Sequence, residues 1–114
     1  MLNREAILGA QDLKTADVAV PEWGGSVRVR VMTGTERDAW GASLVGADGK
    51  PNMAQYGIKL LVLCIVGEDG VALFTEADLA ALGAKSALAL KRVFDAADAL
   101  NTIGPDQVEA AAKN

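Results

Sequence analysis

Histidine is absent from the 114 residues of this chain. That removes the side chain most used for proton transfer near neutral pH, for triads of the usual kind and for metal ligation. Cysteine occurs once, at Cys64, so neither an internal disulfide nor a cysteine-cluster zinc site can form. Basic charge is in deficit: 11 Lys and Arg stand against 15 Asp and Glu, a net charge of −4. Nucleic-acid binding needs a dense basic face that releases counterions, which this balance counts against. Long apolar runs are missing too. The longest, Leu60–Val66, falls far short of the about 20 residues of a membrane span. The N-terminus, Met1-Leu2-Asn3-Arg4-Glu5, lacks the basic and apolar regions of a secretory signal. These absences lead us to expect no catalytic residues, cofactor, metal, nucleic acid or membrane.

What is present is apolar content. A hydrophobic fraction of 51% argues for a packed core, and this length has room for one domain. A domain of this size buries roughly two thirds of its unfolded surface and needs no covalent staple. The composition reads as a soluble, intracellular single domain.

Residue spacing divides the chain. Asn3 is a helix N-cap, with Glu5 in the first turn of a short helix reaching about Gln11. The period then changes. Val18 and Val20, then Val27, Val29 and Val31, alternate with Ala19, Arg28 and Arg30, the repeat of half-buried strands. Pro21-Glu22-Trp23-Gly24-Gly25 between them has turn chemistry, so residues 16–32 read as a β-hairpin with a valine face and an arginine face. An isolated hairpin is marginal in water, so helices or another subunit must cover the valines.

Thr33 and Glu36 have the capping-box spacing and open a helix carrying Ala39, Trp40, Ser43 and Leu44. Residues 46–52 form a polar loop. Met53–Val66 reads as one helix, apolar almost all round after Lys59, and therefore central in the core or at a subunit interface. After Gly67-Glu68-Asp69-Gly70, Val71–Phe74 is an apolar connector. Thr75 caps a short helix ending near Gly83, and a last helix spans about Lys85–Asn101. Leu90, Val93, Phe94, Ala97 and Leu100 share its apolar face. The fold class expected is α+β: an N-terminal hairpin packed with four to five helices in a single domain over 1–104. Residues 105–114 are expected as an Ala-rich, flexible tail.

No candidate chemistry outweighs its plain alternative. Gly46-x-x-Gly49-Lys50 has two residues between its glycines where a phosphate loop needs four, and Pro51 follows the lysine, so a turn is the reading. The pairs Glu36/Asp38 and Glu76/Asp78 sit where helix first turns favour negative charge. Cys64 lies among Leu61, Leu63 and Ile65 with no neighbouring base, the setting of an inert thiol. Three residues remain as candidates for binding a partner. Arg28 and Arg30 share a strand face that Asp17 can join, as a solvated ion-paired face or as the match for an acidic patch. Trp23 lies in a turn, either as an interface anchor or folded over the hairpin as a lid on the core.

The string Val20-Pro21-Glu22-Trp23-Gly24-Gly25-Ser26-Val27-Arg28-Val29-Arg30, followed by Thr33-Gly34-Thr35-Glu36-Arg37-Asp38-Ala39-Trp40, resembles the N-terminal half of tail assembly chaperones of long-tailed phages and prophages. In the second half the resemblance lies in Leu63-Cys64, Glu68-Asp69-Gly70, Leu73-Phe74-Thr75-Glu76-Ala77-Asp78, Leu82-Gly83-Ala84-Lys85-Ser86 and Val93-Phe94. It spans residues 2 to about 104. It implies a non-enzymatic protein of the host cytoplasm that binds the tape measure protein, recruits tail-tube subunits, self-associates and is missing from the finished virion. Many such proteins are made in two lengths, and this chain would be the shorter. The other reading is a structural tail component, a tail-tube or completion protein. A chaperone of this kind needs apolar surface that can exchange a self-contact for a client helix. Segment 58–66 and the hairpin edge are candidates for it, although residues 60–65 read equally as core.

Overall fold

A computed structural model describes residues 1–102. The tail expected over 105–114 lies outside the described residues. The described residues form five helices and a three-stranded antiparallel sheet of order β1-β2-β3, an α+β fold as the spacing implied.

The chain opens with α1 (Arg4–Gly9), where the Asn3 Oδ1 accepts from the Ala6 N–H at 2.9 Å. This helix is shorter than the expected span and none of its residues is buried. The hairpin follows as β1 (Thr15–Val20) and β2 (Gly25–Arg30). Their register sets Val18 opposite Val27 and Ala16 opposite Val29 on one face, and Asp17 opposite Arg28 on the other. Val20 and Val29 are fully buried.

Next is α2 (Gly34–Ser43), started by the capping box. The Glu36 N–H donates to Thr33 Oγ1 at 3.1 Å, and the Thr33 N–H donates to Glu36 Oε1 at 2.9 Å. The expected helix over 53–66 is corrected at both ends. Helix α3 spans Tyr56–Cys64, entered through Gln55 at a left-handed φ of 59°. Ile65–Val66 leave it as β3, paired with Val29 and Arg28 of β2. Helix and strand are both compatible with an apolar run this short. The outer edge of β2 supplies unpaired backbone groups, and two β-branched residues before Gly67 are suited to satisfying them.

The loops at 46–50 and 67–71 are the same turn used twice. In each, a glycine N–H donates to the carbonyl four residues on, at 2.7 Å for Gly46 and 2.9 Å for Gly67. An aspartate, Asp48 or Asp69, accepts through Oδ1 from the N–H two residues later, at 3.0 Å in both cases. The glycine after it, Gly49 or Gly70, takes a left-handed φ of 78° or 80°.

Thr75 begins a 3-10 turn (Glu76–Asp78) that runs into α4 (Leu79–Gly83). Ser86 caps α5 (Ala87–Leu100), which starts two residues later than the spacing implied. Its Leu90, Val93 and Ala97 are buried as expected, and Phe94 and Leu100 pack against the same core. Helix α5 lies against β1, β2 and α3, so it covers the valine face of the hairpin. Leu60, Leu61, Cys64 and Ile65 complete the core, which assigns most of the 60–65 run to packing. Tyr56 stacks in a tilted fashion on both Trp40 and Phe94, with centroids 5.2 and 5.7 Å away.

Candidate functional site

The hairpin turn is built to hold a tryptophan still. Pro21 begins a 3-10 turn through Trp23, and Gly24 closes it at φ 74° by donating its N–H to the Pro21 carbonyl. Between them Glu22 accepts from Arg92 Nε on α5 through both carboxylate oxygens at 3.0 Å. Its own N–H and the Arg92 guanidinium hold the Glu22 carboxyl below the usual range. The turn is thereby anchored to α5, and Trp23 is left half-buried at the rim of the core.

Trp23 and Phe74 together separate two open apolar grooves. The first, about 350 Å³, runs over the sheet and the 67–73 turn, with Asp17, Arg28, Glu68 and Leu73 in its wall. The second, about 400 Å³, continues past Leu82 to Lys85 at the end of α4. Leu73 is 59% exposed, although a leucine beside a tryptophan and a phenylalanine has an apolar surface within reach. Such a concave apolar surface with a few charges on its rim is the usual form of a protein-binding groove.

Charge in the first groove is largely compensated. Arg28 donates to Asp17 through Nε at 2.7 Å and Nη2 at 3.1 Å, a two-point contact across the strand pair. The hydrogen bond from Arg28 lowers the Asp17 pKa, and Asp17 in turn raises that of Arg28. Among the described residues Glu68 in this groove and Lys85 in the second have no ion-pair partner.

Of the three candidate partner-binding residues, the fold brings Trp23 and Arg28 to one groove and sends Arg30 elsewhere. The Arg30 side chain is only 13% exposed. Its Nη2 donates to both Glu36 carboxylate oxygens at 2.9 Å and to the Leu63 carbonyl at 3.3 Å. It joins β2 to the start of α2 and the end of α3. Alternation correctly gave the two arginines one face, but the α2 start and α3 end close over only one of them.

Spacing alone did not single out Phe74, Leu73, Glu68 or Lys85. The one available signal was an apolar connector, Val71–Phe74, directly after a tight turn, where polar residues are usual.

Two side chains that could carry reactive chemistry are otherwise engaged. Cys64 is fully buried, its Sγ accepts from Asn101 Nδ2 at 3.5 Å, and burial pushes its thiol up to about 11. Asp78, on the second groove, is engaged in holding the Thr75 N–H at 2.8 Å. Among the described residues no three His, Cys, Asp or Glu converge as metal ligands, and no helix is long and apolar enough to cross a membrane.

A hairpin extended by a short third strand and covered by a C-terminal helix is a fold that this chain shares with a solved phage protein. One solved structure to which it is similar is that of the bacteriophage HK97 tail assembly chaperone, with a TM-score of 0.58. The match covers 88% of this chain and 95% of that one, at 17% sequence identity. No protein-family model matches the chain, nor does any curated protein sequence.

Proposed function

We propose that this chain is a non-enzymatic phage tail assembly chaperone that binds the tape measure protein and helps to recruit tail-tube subunits. The observation that carries the reading is the fold shared with the HK97 tail assembly chaperone along nearly the whole of both chains. The Trp23–Phe74 grooves support it, because holding an apolar client requires surface and shape rather than reactive groups. Trp23 is the apolar anchor of this surface, and Arg28, fixed by Asp17, is its polar rim. Each well-buried client side chain would contribute roughly 1.5–3 kcal/mol, so three or four reach micromolar affinity once ordering costs are subtracted. The protein then acts in the host cytoplasm as a self-associating species and is left out of the finished virion. Its net charge of −4 helps to keep a client complex soluble.

Co-expression with the tape measure protein of the same gene cluster tests this. The expected result is a soluble client that co-purifies with the chain, and a loss of that solubility in Leu73→Asp. An insoluble client with nothing bound would overturn the reading. Mass spectrometry of purified virions separates it from the structural alternative, since a tail-tube or completion protein would be found in the particles.

A further inference from the structure

Helix α2 is ten residues long and buries none of them, whereas α3 and α5 each bury four. Its one large apolar side chain, Trp40, is half-buried against Tyr56. Gly34 and Gly41 lower its intrinsic helicity, and a helix of this length does not persist in water on propensity alone. Packing must therefore hold it, and little packing is present.

Polar bonds near its two ends do most of the holding. Glu36 takes Arg30 Nη2 and the Thr33 N–H, and Arg37 Nη1 donates to the Asn101 carbonyl at 3.2 Å. At the other end Lys59 Nζ donates to the Ser43 carbonyl at 2.9 Å. Between these anchors the seam with α3 is open. A cleft of about 90 Å³ lies on one side of Trp40, over Val62, Leu63 and Leu79, and one of about 110 Å³ lies on the other, over Tyr56 and Leu60. Such voids forfeit the contacts that would fix a packed helix. The closed position also carries a cost that opening removes: Arg30 Nε is buried without an acceptor among the described residues, and water reaches it once α2 lifts. Beyond α2, Gln55 is held at a left-handed φ of 59°, a strained conformation for a residue with a Cβ.

We propose that α2 is a releasable cover on α3: within the folded protein it lifts and unwinds as a unit, while the sheet, α3 and α5 stay packed. Thr33 and Gly34 take up the motion at one end and residues 44–55 at the other. Lifting uncovers Tyr56, Val62 and Leu63 beside Leu79, an apolar strip separate from the Trp23–Phe74 grooves. That strip is then open to a client. This last step rests on the chaperone reading; the opening needs no client, so the two fail separately.

Native-state hydrogen exchange of the full chain, followed residue by residue by NMR from zero to sub-denaturing urea, tests the proposal. Relative to their intrinsic rates, the amides of residues 38–43 should exchange at least about 100-fold faster than those of residues 90–97. Their urea dependence should be much the smaller, because a local opening exposes little surface. Val93→Ala, at a fully buried position of α5, should speed exchange in α5 at least about tenfold and leave α2 unchanged. Gly41→Ala, whose new Cβ meets nothing within 4 Å, should slow exchange in α2 about fivefold by favouring the wound state. Exchange of α2 and α5 together, with one urea slope, would overturn the proposal. So would equal acceleration of both by Val93→Ala, or an α2 rate that Gly41→Ala leaves unchanged, since the helix would then be exchanging while still wound.

Discussion

Arg30 and Glu36 form a two-oxygen contact at 2.9 Å, and the same carboxylate accepts the Thr33 N–H that begins α2. One side chain therefore caps a helix and, through Arg30 Nη2, neutralises a nearly buried guanidinium whose Nε finds no acceptor among the described residues. Removing it uncouples β2 from α2. Glu36→Ala is expected to lower unfolding free energy by about 2–4 kcal/mol, combining a lost cap with an uncompensated buried cation. Glu36→Gln, which keeps the cap, should lose less. Urea denaturation of the three proteins measures the order.

The duplicated turn makes a second prediction. Gly49 and Gly70 hold left-handed backbone in which a Cβ is strained, so Gly49→Ala and Gly70→Ala should each cost about 1–2 kcal/mol. The costs should differ little between the sites, because the hydrogen bonds around them are the same. Thermal unfolding of the pair gives the comparison.

Stability should be nearly flat through neutral pH, with no histidine to titrate there. Asp17 and Glu22 have folded-state pKa values lowered by the Arg28 hydrogen bond and by the Glu22 N–H with Arg92. In the unfolded chain such carboxyls titrate near about 4 and bind protons first, so stability is complete above that pH and falls as acid is added. Asp17→Asn should flatten the acid limb, and added salt should shrink the difference because the pair is exposed. A limb unchanged by Asp17→Asn would contradict the assignment.

At the alkaline end the sign reverses. Burial raises the Cys64 thiol to about 11, so the unfolded chain loses its thiol proton first and stability declines as pH rises from about 9 towards that value. In the native protein Cys64 should resist a disulfide reagent at pH 8 and react fully in denaturant. Labelling kinetics followed by absorbance provide the check; rapid native labelling would mean that the α3–α5 packing opens readily.

Much of the local structure was legible from spacing. Asn3 and Thr33 cap helices through bonds to residues three positions away, as read, whereas the Ser86 cap sets the start of α5 two residues beyond the one the spacing implied. Alternation along the hairpin put Asp17 opposite Arg28. The third strand was not legible, since Leu60–Val66 has no period that separates helix from strand. The burial of Arg30 was hidden as well, because its neighbours Glu36 and the Leu63 carbonyl lie on elements that must first assemble.

The candidate site divides in the same way. Trp23 was conspicuous as a large aromatic in a turn, but its partner across the grooves, Phe74, is far along the chain and reaches it only after β3 has paired with β2. The bareness of the N-terminal segment is likewise invisible in its residues, which read as a short capped helix reaching about Gln11. Caps, turns and period act over three or four residues, within reach of the chain's own geometry. Grooves, covered charges and uncovered segments depend on contacts between distant segments, so only the assembled tertiary structure could decide them.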